Sequence, residues 1–428
     1  MAPWEVSTRP VGPGSYVLLG AVGLSLCLSL GLALQPRKRD APRKPPKRPW
    51  TPSPLTTSLP GLSQDEIAQL PYPPDVLPGA RNVETPYGVI KVFEWGPEDG
   101  EKVLLLHGIS TPCLCQSDLA DELVAQGYRV MLFDYFGRGY SDAPSDVPYD
   151  VRLYATQILL VLASSPLPWT GNDGFHLMGY SLGGAIAASF AGYFPHLLRS
   201  LTLIAGGGLI RPQHVNWKSR VIYSQGILPE WFLQRLVRAR LTGPPPSSHG
   251  TGPALVTETS TASEIITLDP EALEVQREQQ KRKHENSDVN GGDAFDNAAL
   301  SRHRPGITVA HVMAWQIRHH RGYIPAFMSS IRHAPIYDQQ EEWVRLGKVL
   351  RERREGTLPG LKGGKILLIL GETDPVIVKE ELIHDATSVL GEEGFEAIAL
   401  DAGHEIAIAR GQEVGRIAAS FWRNRVGQ

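Results

Sequence analysis

Cysteine is scarce in this chain of 428 residues, which contains only three. Cys27 lies in an apolar run, and Cys113 and Cys115 are too close in sequence to brace a fold by pairing with each other. A disulfide framework is therefore excluded, and a reducing compartment fits this cysteine usage. The sequence also contains no Asn-x-Ser/Thr acceptor, which argues against a long residence in the secretory lumen.

An excess of charge of one sign is also absent, because the formal net charge is only -3 at pH 7. Composition therefore gives no reason to expect nucleic acid or another strongly charged partner. No internal repeat is visible, which excludes repeat architectures. A chain of this length can bury a sizeable core, in one large domain or in two smaller ones with appendages.

One long apolar run is present, over residues 16–34, after a short N-terminal tail of residues 1–15. A helix of about 19 residues spans roughly 28 Å, close to the hydrocarbon thickness of a bilayer. We therefore predict a transmembrane helix. The alternative is a cleaved signal peptide, but such a peptide favours a shorter apolar run behind a basic leader.

Lysine and arginine cluster directly after this run, in a proline-rich segment that we interpret as a linker over residues 35–70. Basic residues next to a membrane span tend to remain on the cytosolic side. The sequence thus predicts a single-pass protein of the endoplasmic reticulum or another endomembrane, with the bulk of the chain in the cytosol.

From about residue 72 onward, apolar runs typical of buried strands alternate with stretches of helical composition. This alternation predicts an α/β fold with a mostly parallel sheet covered by helices on both faces. It stops over residues 209–345, where helical stretches with large apolar side chains predict a cap. Within the cap, residues 243–305 are too polar to order, so we expect a disordered insertion there. The core is then divided between residues 71–208 and 346–428.

The sequence Gly-Tyr-Ser-Leu-Gly at 179–183 lies between an apolar run and a helical stretch. Glycine on either side of a serine at such a junction allows a tight turn that exposes the hydroxyl. Ser181 is therefore the candidate nucleophile of a strand-to-helix elbow.

A serine nucleophile needs a base and a group that orients the base, and both candidates lie downstream. Asp374 follows the apolar run 366–370, and His404 follows the next one, 395–400, so both should reach the carboxyl edge of the sheet. Glu372 and Asp401 compete with Asp374 for the orienting role. The order Ser, Asp, His along the chain is the order that this type of fold requires.

Two backbone amides are candidates for holding the developing oxyanion. Leu182 begins the helix after the elbow, where free N–H groups point outward. Ile109 lies in the loop after the apolar run 103–106, beside Gly108. We interpret His107 in the same loop as a structural residue rather than as a second base.

These motifs together resemble the α/β-hydrolase fold family, in its lipase, esterase and epoxide hydrolase-like branch. The residues that carry the resemblance are His107-Gly108, Asp134-Tyr135-Phe136-Gly137-Arg138-Gly139-Tyr140-Ser141, Gly179-Tyr180-Ser181-Leu182-Gly183, Gly371-Glu372-Thr373-Asp374 and Gly403-His404. The resemblance implies an eight-stranded sheet with the helical cap inserted after the sixth strand. The anchor and the cap are also similar to those of membrane-bound monoacylglycerol lipases.

Two details narrow the chemistry that the resemblance implies. Epoxide hydrolases and haloalkane dehalogenases of this fold have aspartate in the elbow, where this chain has Ser181, so ester, thioester or amide chemistry is indicated. A lysophospholipid acyltransferase signature would require aspartate five positions after His404, where Ala409 stands. Hydrolysis is therefore favoured over acyl transfer.

The expected function is a membrane-anchored serine hydrolase that cleaves a lipid ester or another apolar acyl ester through an acyl-enzyme. No cofactor, metal or nucleic acid is expected. The alternatives are a catalytically inactive interaction protein with this fold, and C–C hydrolase or perhydrolase-like chemistry at the same site.

The predicted orientation can be tested with Gly61→Asn, which creates a glycosylation acceptor with Ser63 in the linker. We expect this acceptor to remain unmodified in a eukaryotic cell, as judged by an endoglycosidase mobility shift. An acceptor in a tag ahead of residue 1 is the control, and it should be glycosylated because it lies across the membrane. Glycan on the linker acceptor would contradict the orientation.

Overall fold

Eight strands form one sheet in the computed structural model, which describes residues 48–171, 174–215, 217–242, 291–356 and 361–426. In chain order the strands are β1 (Arg81–Thr85), β2 (Gly88–Trp95), β3 (Lys102–Leu106), β4 (Arg129–Phe133), β5 (Phe175–Tyr180), β6 (Leu198–Ile204), β7 (Ile366–Gly371) and β8 (Phe395–Leu400). Across the sheet they lie in the order β8-β7-β6-β5-β3-β4-β2-β1. Strands β3 to β8 are parallel, whereas β2 is antiparallel to β1 and β4. The predicted mostly parallel sheet is confirmed.

The central strands are apolar because helices cover both faces of the sheet. Every residue of β5 and of β7 is buried, as continuous apolar runs predict for parallel strands. Edge strand β8 exposes residues 397–399 instead. The helices, in chain order, are α1 (Pro54–Thr57), α2 (Gln64–Ala68), α3 (Ser117–Ala125), α4 (Val151–Ala163), α5 (Leu182–Tyr193), α6 (Trp217–Ile222), α7 (Glu230–Thr242), α8 (Asp293–Asn297), α9 (Val309–His319), α10 (Tyr323–His333), α11 (Gln340–Arg354), α12 (Lys379–Leu390), α13 (Ile406–Ala409) and α14 (Gly411–Val426).

Strand register places the loops that carry the candidate residues next to one another. Leu106 at the end of β3 pairs with Gly179 near the end of β5. Gly371 at the end of β7 pairs with Leu400 at the end of β8. The four loops that follow these strands therefore leave the same carboxyl edge of the sheet, which is where doubly wound sheets bind ligands.

The predicted linker over residues 35–70 is too long, because the chain is already packed against the core from Trp50 onward. Trp50–Thr51 pairs with Ala143–Pro144, and the Ser53 amide donates to Asp142 Oδ1 at 2.7 Å. Leu59 is buried in the core, and α2 begins with a capping box. Proline does not prevent this packing, since Pro54 occupies the first turn of α1, where its missing N–H costs nothing.

The cap follows β6, the sixth strand of the sheet, and α6, α7, α9 and α10 occupy the helical stretches predicted for it. The expected disordered insertion of 243–305 is wrong for its last part, residues 291–305. There Phe295 and Leu300 are buried, and the Arg302 amide donates to the Asp118 carboxylate of α3. A few specific contacts thus order a segment whose average composition is polar. Residues 243–290 lie outside the described ranges.

The second part of the core begins at about residue 340 rather than at the predicted residue 346. Helix α11 packs against α5 and α12, and its residues Trp343 and Leu346 are buried. Its first turn carries Glu341 and Glu342, so polar residues conceal the start of a core helix.

In the described part of the chain, no helix has both the length and the apolar character required to cross a bilayer. The predicted span of residues 16–34 lies outside that part, as do the tail before it and most of the basic cluster after it.

Asp134, directly after β4, joins three separate segments through its buried carboxylate. It accepts hydrogen bonds from Tyr72 Oη at 3.0 Å, from the Cys113 amide at 2.9 Å and from the Tyr140 amide at 2.9 Å. Burial raises the pKa of Asp134, and these hydrogen bonds oppose the rise. Gly139 lies against the same carboxylate with φ of 52°, a conformation that side chains disfavour.

Gly139→Ala is expected to destabilise the fold by more than about 2 kcal/mol, because of a clash with buried polar atoms. A Cβ at this position would lie 2.0 Å from Asp134 Oδ2. Gly127→Ala is the matched control, since Gly127 also has positive φ (91°) but nothing lies within 4 Å of its Cβ position. Its expected cost is about 1 kcal/mol of backbone strain. Urea unfolding measures both; equal losses would show that the clash is unimportant.

Candidate active site

Ser181 lies at the junction of β5 and α5 with φ of 54° and ψ of -117°, a conformation that is strained for a residue with a side chain. Its backbone is fixed on both sides: the amide donates to Ile204 O at 3.0 Å, and the carbonyl accepts from the Gly184 amide at 2.9 Å. A Cβ at Gly179 would lie 2.2 Å from Gly183 O. This close approach requires glycine, as the sequence predicted for a nucleophile elbow.

The structure brings His404 between Ser181 and Asp374. His404 Nε2 lies 2.9 Å from Ser181 Oγ, and Nδ1 lies 2.9 Å from Asp374 Oδ2. The other carboxylate oxygen of Asp374 accepts from the amides of Val376 at 2.7 Å and Ile377 at 2.9 Å. These two hydrogen bonds fix the orientation of the carboxylate, so that Oδ2 faces the imidazole.

The two competitors for the orienting position do not contact His404. Glu372 forms an ion pair with Lys379, and its side chain is 44% exposed. Asp401 is exposed, and its carbonyl oxygen accepts a hydrogen bond from Arg410. Of the three acidic residues considered, only Asp374 has the required geometry.

Ile109 and Leu182 line the same pocket as Ser181 and His404. Leu182 is the first residue of α5, so its N–H has no acceptor within the helix. The Ile109 amide donates to no other described residue. Both residues predicted to hold the oxyanion therefore line the pocket, with amides that donate to no other described residue in the hydrogen bonds found.

His107 fixes the loop that presents Ile109, in agreement with the structural role predicted for it. Its Nδ1 donates to Gly108 O at 2.7 Å, and its Nε2 accepts from the Tyr135 amide at 2.9 Å. Because a trans peptide is planar, holding the Gly108 carbonyl also sets the direction of the Ile109 N–H in the same peptide. Burial lowers the pKa of His107 to about 3, so this histidine is neutral at physiological pH.

Tyr180 is a residue near the site whose role the sequence did not reveal. Its hydroxyl donates to His404 O at 2.6 Å, and its ring lies 5.5 Å from the imidazole. The aromatic residue inside the elbow thereby positions the backbone of the histidine. Nothing in the elbow motif specifies this contact, because it spans 224 residues of sequence.

The remaining wall of the pocket is mostly apolar. Phe295 of α8 lies with its ring 6.1 Å from the His404 imidazole and covers it from the cap side. The other apolar residues of the wall are Ile210, Ile331, Ile336 and Val376. Hydroxyl groups of Ser110, Thr111 and Tyr337 belong to lining residues as well. Among the described residues, no group of histidine, cysteine and acidic side chains is arranged to hold a metal ion.

Comparison with known proteins agrees with this architecture. A family model described as the alpha/beta hydrolase fold matches residues 102–243, which contain β3 to β6 and the elbow. The chain has the α/β-hydrolase fold. Among solved structures, the fold is shared with a membrane phospholipase A described as a bacterial virulence factor. The two are 17% identical, with a TM-score of 0.52, over 82% of this chain and 87% of that chain.

The chain matches its curated relatives in sequence over only a part of their length. An uncharacterized protein of Mycobacterium bovis is 30% identical over 141 residues, which are 33% of this chain and 39% of that protein. A serine hydrolase-like protein of Homo sapiens is 31% identical over 120 residues, or 28% of this chain and 56% of that protein. The similarity thus covers well under two thirds of either relative.

The buried, neutral state of His107 predicts a dependence of stability on pH. The unfolded chain binds this proton below its usual pKa of about 6.5, whereas the folded protein does not bind it until about pH 3. Stability therefore falls as pH decreases through this window, by at most about 1.4 kcal/mol per pH unit for one proton. His107→Asn should reduce the slope of unfolding free energy against pH between about pH 4.5 and 6.

The slope is measured by urea unfolding at several pH values. His384→Gln is the control, since His384 is an exposed residue of α12, and it should leave the slope unchanged. An unaltered slope in His107→Asn would show that His107 is not buried as a neutral group.

Proposed function

We propose that this protein is a serine hydrolase that cleaves carboxylic esters through an acyl-enzyme. The observation that carries the proposal is the continuous hydrogen-bonded series from Ser181 Oγ through His404 to Asp374, with 2.9 Å at both steps. A serine hydroxyl becomes nucleophilic when a base accepts its proton during attack.

In the proposed reaction, His404 Nε2 accepts the Ser181 proton while Oγ attacks the ester carbonyl carbon. The carbonyl oxygen becomes an oxyanion held by the amides of Ile109 and Leu182. Asp374 stabilises the imidazolium through Nδ1, and His404 then protonates the departing alcohol. Water, deprotonated by His404 in the same way, attacks the acyl-enzyme and releases the carboxylic acid.

An apolar acyl ester is the proposed substrate class. The pocket wall beside Ser181 is built from branched aliphatic side chains and Phe295, which favour hydrocarbon over charged groups. Among the described residues, no lysine, arginine, aspartate or glutamate belongs to the lining, so a substrate carboxylate or phosphate would have no counter-ion from them. A lipid ester such as a monoglyceride fits these properties.

The cap carries an apolar surface that supports a lipid substrate. Ile227 is 70% exposed and Trp231 is 68% exposed, with Phe232 and Leu236 also exposed beside them. Arg235 is exposed on the same helix, α7. Apolar side chains with arginine nearby are suited to the interface of an anionic bilayer. We propose that the protein acts at a membrane, tethered by residues 16–34, with its catalytic domain in the cytosol.

A fluorophosphonate probe tests the proposed nucleophile in the full-length protein. Wild type should be labelled, and Ser181→Ala should not. Ser189→Ala is the matched control, because Ser189 is a buried serine of α5, the helix that begins directly after Ser181. The labelling of this variant should equal that of wild type.

Asp374→Asn should lower ester turnover by about 10³–10⁴-fold, since the imidazole loses its orienting carboxylate.

Folded wild-type protein that reacts with no fluorophosphonate would refute the proposal in favour of an inactive interaction protein. A second outcome would also refute ester hydrolysis: the protein is labelled and turns over C–C or peracid substrates, but it turns over no ester in a panel. Ser181 would then be the nucleophile of a C–C hydrolase or a perhydrolase-like enzyme.

A further inference from the structure

We propose that Gln316 and Tyr323, in cap helices α9 and α10, are positioning residues for the oxyanion donor at Ile109. The inference rests on the proposed function, because it assigns both residues a role in the same reaction. Neither belongs to the lining of the pocket, so neither is expected to touch substrate. Both act on the backbone of residues 107–111, which we call the oxyanion loop.

Side chains hold consecutive carbonyls of the oxyanion loop. His107 Nδ1 binds Gly108 O at 2.7 Å, and Arg138 Nε binds Ile109 O at 2.8 Å. Both of these donors come from the core, and both are completely buried. Both carbonyls are therefore held by buried groups of the core, and the planarity of the peptide fixes the direction of the amide in each of the same peptides.

The next carbonyl, Ser110 O, is held from the cap. Gln316 Nε2 donates to it at 3.0 Å and Tyr323 Oη donates to it at 2.9 Å, so two cap side chains satisfy both of its acceptor positions. Gln316 Oε1 accepts from the Gly139 amide at 2.8 Å, which locks the orientation of the side-chain amide. Among the described residues, the hydrogen bonds to the Ser110 carbonyl thus come only from α9 and α10.

This attachment bears on catalysis because an oxyanion donor acts through direction as well as distance. Removal of a single donor costs about 10²–10³-fold in turnover in other enzymes, and a donor that is merely misaligned loses part of that factor. Gln316 and Tyr323 are both fully buried, so loss of either leaves Ser110 O short of a partner in a place that water reaches poorly. With a single donor left, the peptide between Ser110 and Thr111 can turn, and the displacement reaches the Ile109 N–H through the one peptide unit between them.

Tyr149 provides an internal comparison. Its hydroxyl is buried and donates to Pro144 O at 3.2 Å, and its amide donates to Ser329 Oγ of the same cap helix, α10. Among the described residues, this hydroxyl binds neither a carbonyl of the oxyanion loop nor Arg138. Tyr149→Phe therefore removes a buried hydrogen bond beside the cap and leaves both donors to Ser110 O in place.

The experiment measures kcat and KM of the full-length protein with p-nitrophenyl butyrate, and the inhibition constant of a trifluoromethyl ketone. Such a ketone forms a tetrahedral oxyanion on the serine. Tyr323→Phe and Gln316→Met should each lower kcat by about 10-fold, a fraction of the loss of a whole donor, with KM within about twofold of wild type. The inhibition constant should rise by the same factor as kcat/KM falls, because both report oxyanion binding. Tyr149→Phe should change none of the three.

Thermal melting of each variant separates misfolding from misalignment, and Gln316→Met carries the test if Tyr323→Phe does not fold. Unchanged inhibitor binding in a folded variant, or an equal effect of Tyr149→Phe, would overturn the inference. Wild-type protein that neither hydrolyses esters nor reacts with fluorophosphonate would overturn the proposed function itself, and the inference with it.

Discussion

The structure depends on one close approach, between the turn that holds Ser181 and the end of β3. The Cβ position of Gly183 lies 2.3 Å from Leu106 O, so only glycine allows α5 to begin this near the neighbouring strand. The contact brings the first turn of α5, with its free amides, beside the loop that contains Ile109. Strand register between Leu106 and Gly179 maintains it. The two proposed oxyanion donors, Leu182 and Ile109, are thus neighbours through backbone packing alone.

A second feature is that His107 and Arg138, two polar residues beside the site, are buried and form hydrogen bonds with the backbone. His107 is held neutral by burial, with a pKa of about 3, and it uses one nitrogen as donor and the other as acceptor. Arg138 is buried as well, and it donates to Ile109 O and to Ser330 Oγ. Such groups are rigid because leaving any of them unpaired in a low-dielectric interior is costly. The rigidity extends outward from Ser181 to the cap helices.

The sequence predicted the parts of the fold that have a local signal. The apolar runs of β3, β5 and β7 are continuous because both faces of those strands are buried, and glycine marks the elbow because the turn excludes side chains. Asp374 and His404 were found since each follows a strand. Gln316 and Tyr323 gave no such signal: a buried glutamine in an amphipathic helix looks like any polar residue until its partner, more than 200 residues away, is known. The sequence also did not predict the packing of Ser53 and Leu59, because the surrounding prolines are typical of a linker.

The shared attachment of the loop at Ser110 limits how modular this architecture is. Cap segments of such folds are inserted between two core strands, which suggests that they can be exchanged as units between proteins. In this protein, Gln316 and Tyr323 of the cap donate hydrogen bonds to Ser110 O of a core loop. In the other direction, Arg138 of the core donates to Ser330 of the cap. A chimaera that received a foreign cap would lose two hydrogen bonds to the loop of residues 107–111, so the cap and this loop have to be transplanted together and have to diverge together.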